Sequence, residues 1–227
     1  MRPTSLNTTL REVRWRRAAP ILPEFLSFYP EVMIDLHLGD EIVDLVGGGF
    51  DMALRIAALP DSTLIARRLC QVRRLVVGAS AYFDRRGRPT RPSELASHDC
   101  LGYPYLPSPE AWRFAHVSGD EVVVTPRGPL RTNNADALAP ALRAGLGLAV
   151  QPEFTVWKDI AAGRLEQVLP EWSLPPISLH LVTPPGKLRP VRVGMLIDFL
   201  VERLATAPWA KQSDDRLPAA ASVRPLL

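Results

Sequence analysis

Between Glu31 and Leu69 the apolar positions of EVMIDLHLGDEIVDLVGGGFDMALRIAALPDSTLIARRL change their spacing twice. Val32-Met33-Ile34-Asp35-Leu36-His37-Leu38 opens as an apolar run and ends by alternating, the pattern of a buried strand with one partly covered face. Asp40 then offers a helix N-cap, and Ile42, Val43, Leu45 and Val46 give a short helix one apolar side. Gly47-Gly48-Gly49 permits left-handed backbone angles and ends that helix, and Met52 to Ala57 reads as the next strand. Strand, helix and strand in this order make a βαβ unit, with its two strands expected to run parallel. The same grammar returns in PLRTNNADALAPALRAGLGLAVQP, residues 129–152. There Leu130-Arg131-Thr132 ends a strand, Asn133-Asn134 offers N-caps, and Leu138, Leu142 and Leu146 share a helix face before the strand Leu148-Ala149-Val150. Two α/β lobes are therefore expected, and the question of function becomes what lies between them.

The remaining segments fill in around these units. Residues 1–17 are polar and then basic, which predicts a poorly ordered arm. A helix is expected from Ala18, with Ile21, Leu22, Phe25, Leu26 and Phe28 on its buried side and Tyr29-Pro30 as its stop. After a loop at Pro60-Asp61-Ser62, residues 64–79 predict a long strand that leaves the first lobe and enters the second. A short helix near Tyr82, another at Ser93 and a brief strand at Cys100 to Tyr103 lead to a Pro-rich loop at 104–109. Residues 112–117 and 121–125 flank Ser118-Gly119-Asp120 as a hairpin. A helix with Phe154, Trp157 and Ile160 inward ends at Gly163, followed by strands at 165–169 and 177–183 and an amphipathic helix at 189–204. The tail from 206 to 227 has no period and reads as disordered.

Composition narrows the class without naming it. Hydrophobic and charged fractions of 47% and 22% are those of an ordinary soluble globular protein. A net charge of +3, spread along the chain, lacks the clustering that phosphate binding needs. Two cysteines, Cys70 and Cys100, are too few for a disulfide framework and fit a reduced, cytoplasmic compartment. No apolar run approaches the roughly 20 residues that span a bilayer, and the N-terminus has no apolar core of a secretory signal.

No catalytic constellation emerges. Gly145-x-Gly147 precedes a strand, so it is not a dinucleotide fingerprint, which lies between strand and helix. Ser97-His98-Asp99 are adjacent and do not converge as nucleophile, base and orienter. His37, His98, His116 and His180 lack metal-ligand spacing.

The stretches ILPEFLSFYPEVMIDLHLGDEIVDLVGGGFDMALRIAALPDSTLIARRL and LRTNNADALAPALRAGLGLAVQPEF resemble the effector-binding domain of LysR-type transcriptional regulators, and the resemblance extends over residues 18–205. It implies a type 2 periplasmic-binding-protein-like α/β fold, two lobes joined by two crossover strands at 67–77 and 177–183. Residues 18–72 plus 180–205 form lobe I and residues 73–179 form lobe II in this reading. Nothing before Ala18 reads as a winged helix-turn-helix or linker helix, so the chain resembles a regulator cut to its sensing domain. The family's first strand is replaced by MRPTSLNTTLREVRW, in which only Val13-Arg14-Trp15 stands in for it.

The resemblance further implies a small-molecule effector, a carboxylate or an aromatic metabolite, and no cofactor. It implies a homodimer in which lobe I meets lobe II through the helices at 18–28 and 135–144. DNA is reached only through the helix-turn-helix domain, and no membrane is involved. The effector-binding candidates are Arg55, Ala57, Tyr103, Asn133, Asn134, Gln151 and Thr183. Asn133 and Asn134 precede a helix whose free N–H groups suit an anion, although plain capping, with Asp136 answering the dipole, explains them equally. The others fall at or near strand ends or in a crossover. The rival readings are a solute-binding protein serving transport, which needs a leader, an enzyme on the same fold, which needs convergent acid and base, and a truncated inactive product.

Overall fold

The computed structural model describes residues 4–11, 21–39, 44–57, 64–103, 111–186 and 190–205. Lobe I is built on a five-stranded sheet of β1 (Thr4–Arg11), β2 (Val32–Gly39), β3 (Met52–Ala57), β4 (Ile65–Val72) and β11 (Ile177–Thr183), in the order β2-β1-β3-β11-β4. β2 and β3 run in the same direction, as the βαβ pattern predicts, but they are not neighbours. β1 lies between them and pairs parallel with both, Thr4 opposite Val32 and Thr8 opposite Met52.

This corrects the expectation of a poorly ordered arm at 1–17. Thr4 to Arg11 is a central strand with backbone partners on both sides. Three threonines favour extended backbone, and a ladder on both edges satisfies the main chain whatever the apolar content. The stand-in Val13-Arg14-Trp15 lies outside the described residues.

The edge position of β2 corrects a second expectation. Its Val32, Ile34 and Leu36 are only half-buried, while Met33 and Leu38 are 45% and 52% exposed. Only the face carrying Val32, Ile34 and Leu36 packs against the core, and the opposite face is open to solvent. The helix anticipated after Asp40 falls largely on residues 40–43, outside the described set. Residues 45–49 form a turn that places Leu45 and Phe50 against Ala53, Val182 and Leu64, a small cluster apart from the main core.

Helices α1 (Leu22–Phe28) and α5 (Val191–Ala205) bury Leu22, Phe25, Val193, Leu196 and Leu200 in that main core. Phe25 meets Phe199 at 5.4 Å between ring centroids, and Arg203 forks onto Glu24. Phe28, expected inside, is the last residue of α1 and is 60% exposed, touching only the edge of the Phe199 ring among the aromatic side chains described. A bulge in the β4–β11 pairing at Leu179/His180 gives β4 one extra residue, and Leu69 and Cys70 both lean on the main core.

Lobe II holds a sheet in the order β8-β5-β9, with β5 (Arg74–Gly78) antiparallel to both β8 (Leu148–Pro152) and β9 (Glu166–Val168). Bridges from Cys100 to Leu148 and from Gly102 to Arg131, both parallel, widen it by two short segments. Helix α2 (Ser80–Arg86), a 3-10 turn at Pro92–Ser97, α3 (Leu138–Arg143) and α4 (Glu153–Ala161) pack around it. Leu146 was expected on the buried face of α3 but is 52% exposed, because the helix ends at Arg143. Gly145 takes φ 68°, and at Gly147 any Cβ would overlap the Asp99 carbonyl, which accepts the Leu148 N–H at 2.9 Å. The Gly-x-Gly pair is thus a helix stop followed by a close strand approach.

A second small sheet, β10-β6-β7, joins the predicted hairpin β6 (Trp112–His116) and β7 (Glu121–Val124) to β10 (Trp172–Ser173). Two residues are too short for any periodicity, and β10 was not anticipated. Its Trp172 ring sits 4.7 Å from that of His116.

The lobes are joined where the sequence placed the first crossover, although the strand breaks at Arg73 between β4 and β5. β11 lies wholly in the lobe I sheet, since Ile177 to Leu179 already pair with β3 or β4. The second connector is therefore residues 174–176, and the lobe boundary falls before 177 instead of at 180.

Candidate functional site

Strand direction decides which ends face the other lobe. β4 reaches Val72 beside Ile177, and both belong to the end of the lobe I sheet where β3 finishes at Ala57, opposite Ser178. On the lobe II side β5 begins at Arg74 opposite Pro152, the C-terminal end of β8. The short segments at 100–103 and 130–132 run parallel to β8, so Tyr103 comes level with Gln151 and Asn133 follows just beyond. C-terminal strand ends from both sheets therefore meet at the connectors, the usual position for a ligand in α/β folds.

Six of the seven candidates lie along these two edges, and Thr183 does not. β11 is antiparallel to β3, which puts Thr183 opposite Ile65 at the far end of the sheet. Six residue steps along the strand from Ile177 amount to about 20 Å. A crossover strand has two ends, and only the one entering from lobe II borders the gap.

The six differ in what they present. Arg55 and Gln151 are buried, at 6% and 2% exposure. Gln151 Oε1 accepts the Thr155 hydroxyl at 3.2 Å, which pins it to the first turn of α4. Arg55 lies opposite His180 on the sheet face that also carries Ala53 and Val182. Ala57 contributes the strand end itself. Asn133 is exposed. Asn134 is the N-cap of the 3-10 turn Ala135–Ala137 that leads into α3, its Oδ1 accepting the Asp136 and Ala137 N–H groups at 2.9 and 3.3 Å. Asp136 adds its own carboxylate to that turn. Asn134 thus caps the turn, and two of its leading N–H groups already have a partner.

Beside Tyr103 opens a hollow of about 330 Å³, lined by Cys100, Gly102, Thr125, Arg127, Gly128 and Arg131 among others. Arg127 and Arg131 carried no signal in the sequence. They arrive here because Gly128 lets its segment approach Cys100, whose N–H donates to the Arg127 carbonyl at 2.7 Å, and because the Arg131 side chain lies over Gly102. Cys100 is buried and desolvation pushes its thiol up to about 12, so it is a packing residue at neutral pH.

The adjacent Ser97-His98-Asp99 do not converge. His98 Nδ1 pairs with the Tyr82 hydroxyl at 3.1 Å, that hydroxyl accepts the Asp99 N–H at 2.9 Å, and Ser97 Oγ donates to the Glu94 carbonyl. Burial holds His98 below its ordinary value, the Arg86 charge adding to the effect. Among the described residues no group of three or more His, Cys, Asp or Glu side chains is placed to hold a metal ion. No described helix is long and apolar enough to cross a membrane.

The chain is similar to known proteins over most of its length. Residues 11–205 match the model of the LysR substrate binding domain. An HTH-type transcriptional regulator of Xanthomonas campestris pv. campestris is 37% identical over 189 residues, 82% of this chain and 55% of that protein. The HTH-type transcriptional regulator PtxR of Pseudomonas aeruginosa is 32% identical over 197 residues, 87% of this chain and 62% of its own length. The chain thus spans little more than half the length of these relatives. Among solved structures, the regulatory domain of CrgA from Neisseria meningitidis superposes with a TM-score of 0.78 at 28% identity, covering 88% of this chain and 98% of that one. The full-length Vibrio cholerae virulence activator AphB gives 0.79 at 25% identity, covering 88% and 69%. With its two lobes, its two connectors and this match over most of its length, the chain belongs to the LysR substrate-binding domain family.

Proposed function

We propose that this chain is the effector-sensing domain of a LysR-type transcriptional regulator, a cytoplasmic protein without catalytic activity. The observation that supports the proposal is that strand ends of two separate sheets, Ala57 in one and Tyr103 and Gln151 in the other, lie on the sides that the two connectors join. A small molecule held there touches both lobes and favours whichever lobe angle fits it, which is how binding shifts a conformational equilibrium. The effector is a carboxylate or an aromatic metabolite, contacted by Tyr103 and Asn133, with Arg55, Ala57, Asn134 and Gln151 forming or supporting the wall.

The domain acts as a homodimer in which α1 of one copy packs near α3 of the other. Exposed Phe28 on α1 and Leu146 just past α3 supply the apolar contacts that such an interface needs. DNA is contacted through a helix-turn-helix domain, which the matched residues do not include. Sedimentation of Phe28→Glu and Leu146→Glu is expected to show monomers where the parent is a dimer; dimers in both variants exclude this pairing.

Thermal unfolding in a panel of small carboxylates and aromatic metabolites tests the sensing function. Ligand at 100 times its Kd stabilises by about 2.7 kcal/mol, a midpoint rise of about 5–10 °C for a domain of this size. Asn133→Asp, which adds a negative charge at the exposed edge, should abolish the rise for carboxylates and spare it for neutral aromatics. If nucleotide cofactors or enzyme substrates raise the midpoint and no small metabolite does, the sensing function is wrong.

A further inference from the structure

Arg73 alone separates the two sheets on the first connector, since Val72 pairs with Ile177 in lobe I and Arg74 with Pro152 in lobe II. A single residue contributes two soft torsions, so whatever holds Arg73 limits the angle between the lobes. Its guanidinium donates from Nε and Nη2 to the two carboxylate oxygens of Glu153 at 2.8 and 2.6 Å. The Glu153 N–H donates back to the Arg73 carbonyl at 2.9 Å. Three bonds therefore tie one linker residue to one buried residue of lobe II.

The next residue ties the second connector to the first. Arg74 is buried and donates from Nε and Nη2 to the Pro175 carbonyl at 3.0 and 2.5 Å. Pro175 and Pro176 have fixed φ angles of their own. Lobe II thus grips both connectors, and the remaining freedom lies between these clamps and the Val72–Ile177 pair. Glu153 opens α4 directly after Gln151-Pro152, two residues from the edge where the effector is proposed to sit.

We infer that Glu153 is a positioning residue for signalling: its fork with Arg73 sets the inter-lobe angle, and an occupant that shifts the Gln151–Glu153 turn resets it. The second half of this statement rests on the sensing function proposed above; the first half does not. Glutamine at 153 keeps the size of the side chain and loses the double acceptor, while lysine at 73 keeps the charge and loses the fork.

The test uses the full chain with Cys70→Ser, and with exposed Val191→Cys at the start of α5 and Val117→Cys on the hairpin carrying spin labels for pulsed dipolar distance measurement, diluted in excess unlabelled chain so that only the pair within one copy is read. Cys100, buried as a thiol, stays unlabelled. The parent is expected to give one narrow inter-lobe distance. Glu153→Gln and Arg73→Lys should each widen it about twofold and speed exchange of the Glu153 amide about tenfold, with unfolding still cooperative. If Glu153→Gln fails to fold, Arg73→Lys gives the same reading. Parent width and parent exchange in a folded variant overturn the clamp. A metabolite taken from the thermal panel should move the parent distance and leave the variants unmoved. Equal movement in all three overturns the coupling, whereas widening in the variants with no metabolite moving the parent counts against the sensing function alone.

Discussion

Asp159 offers the sharpest test of what holds α3, and with it the Asn133–Asn134 edge, in place. Its carboxylate is 3% exposed and accepts from Arg143 Nε at 3.1 Å to each oxygen, from Arg143 Nη2 at 2.7 Å and from Arg164 Nε at 2.6 Å. Arg143 is in the last turn of α3, so this cluster ties α3 to α4. Replacing Asp159 by Asn removes the charge and one acceptor while keeping the shape. Severing a fully buried pair costs about 3–5 kcal/mol. Here the guanidiniums are 42% and 54% exposed and regain water, so the loss is reduced to about 2 kcal/mol. For a chain of this length that is a midpoint fall of about 4–8 °C. The pH dependence supplies the refutation. Burial raises the Asp159 carboxyl, but the hydrogen bonds from Arg143 and Arg164 outweigh it and hold the group below its ordinary 3.8. A depressed folded value means stability present in full above the unfolded value and lost as pH falls through the folded one. Calorimetry of parent and Asp159→Asn should thus show a constant gap from pH 7 to about 5, closing in stronger acid. A gap below about 1 °C at pH 7, or one that widens in acid, refutes the argument.

Three further outcomes follow from the geometry. Asn134→Ala should lower stability by about 1 kcal/mol, read by urea denaturation, because the Asp136 and Ala137 N–H groups lose their cap; an unchanged midpoint means that solvent caps the turn equally well. Deleting residues 1–11 should prevent folding to the native state, seen as loss of the cooperative thermal transition, because β2 and β3 both lose the ladder between them. At pH 7 to 9 a maleimide should modify Cys70 and spare Cys100 until denaturant is added, since Cys100 titrates near 12; native-state labelling of Cys100 would contradict its burial.

Most of lobe II and the outline of lobe I were legible because their elements carry strong periodicity. The hairpin at β6–β7, the helix ending at Gly163 and the amphipathic α5 each follow from local spacing and turn chemistry. β1 was not legible: TSLNTTLR has little apolar pattern, and its place is set by main-chain pairing with two strands far away in sequence. The exposures of Phe28 and Leu146 were missed for a related reason, since a helical face predicts burial only as far as a neighbour covers it.

The candidate site divides along the same line. Residue order alone put Ala57, Tyr103, Asn133 and Gln151 at strand ends, and the family pattern indicated which lobes those ends belong to. Of the motifs the sequence offered, the structure uses Gly145-x-Gly147 as a helix stop and a close strand approach, and it sends Ser97, His98 and Asp99 to separate partners. Strand direction was beyond its reach. Only the antiparallel course of β11 reveals that Thr183 lies at the wrong end of the sheet, and only the joining of β4 to β5 through one residue brings Arg73 onto Glu153, 80 positions away. Local preferences are written in neighbouring residues, whereas the meeting of two distant side chains depends on how every strand between them is paired.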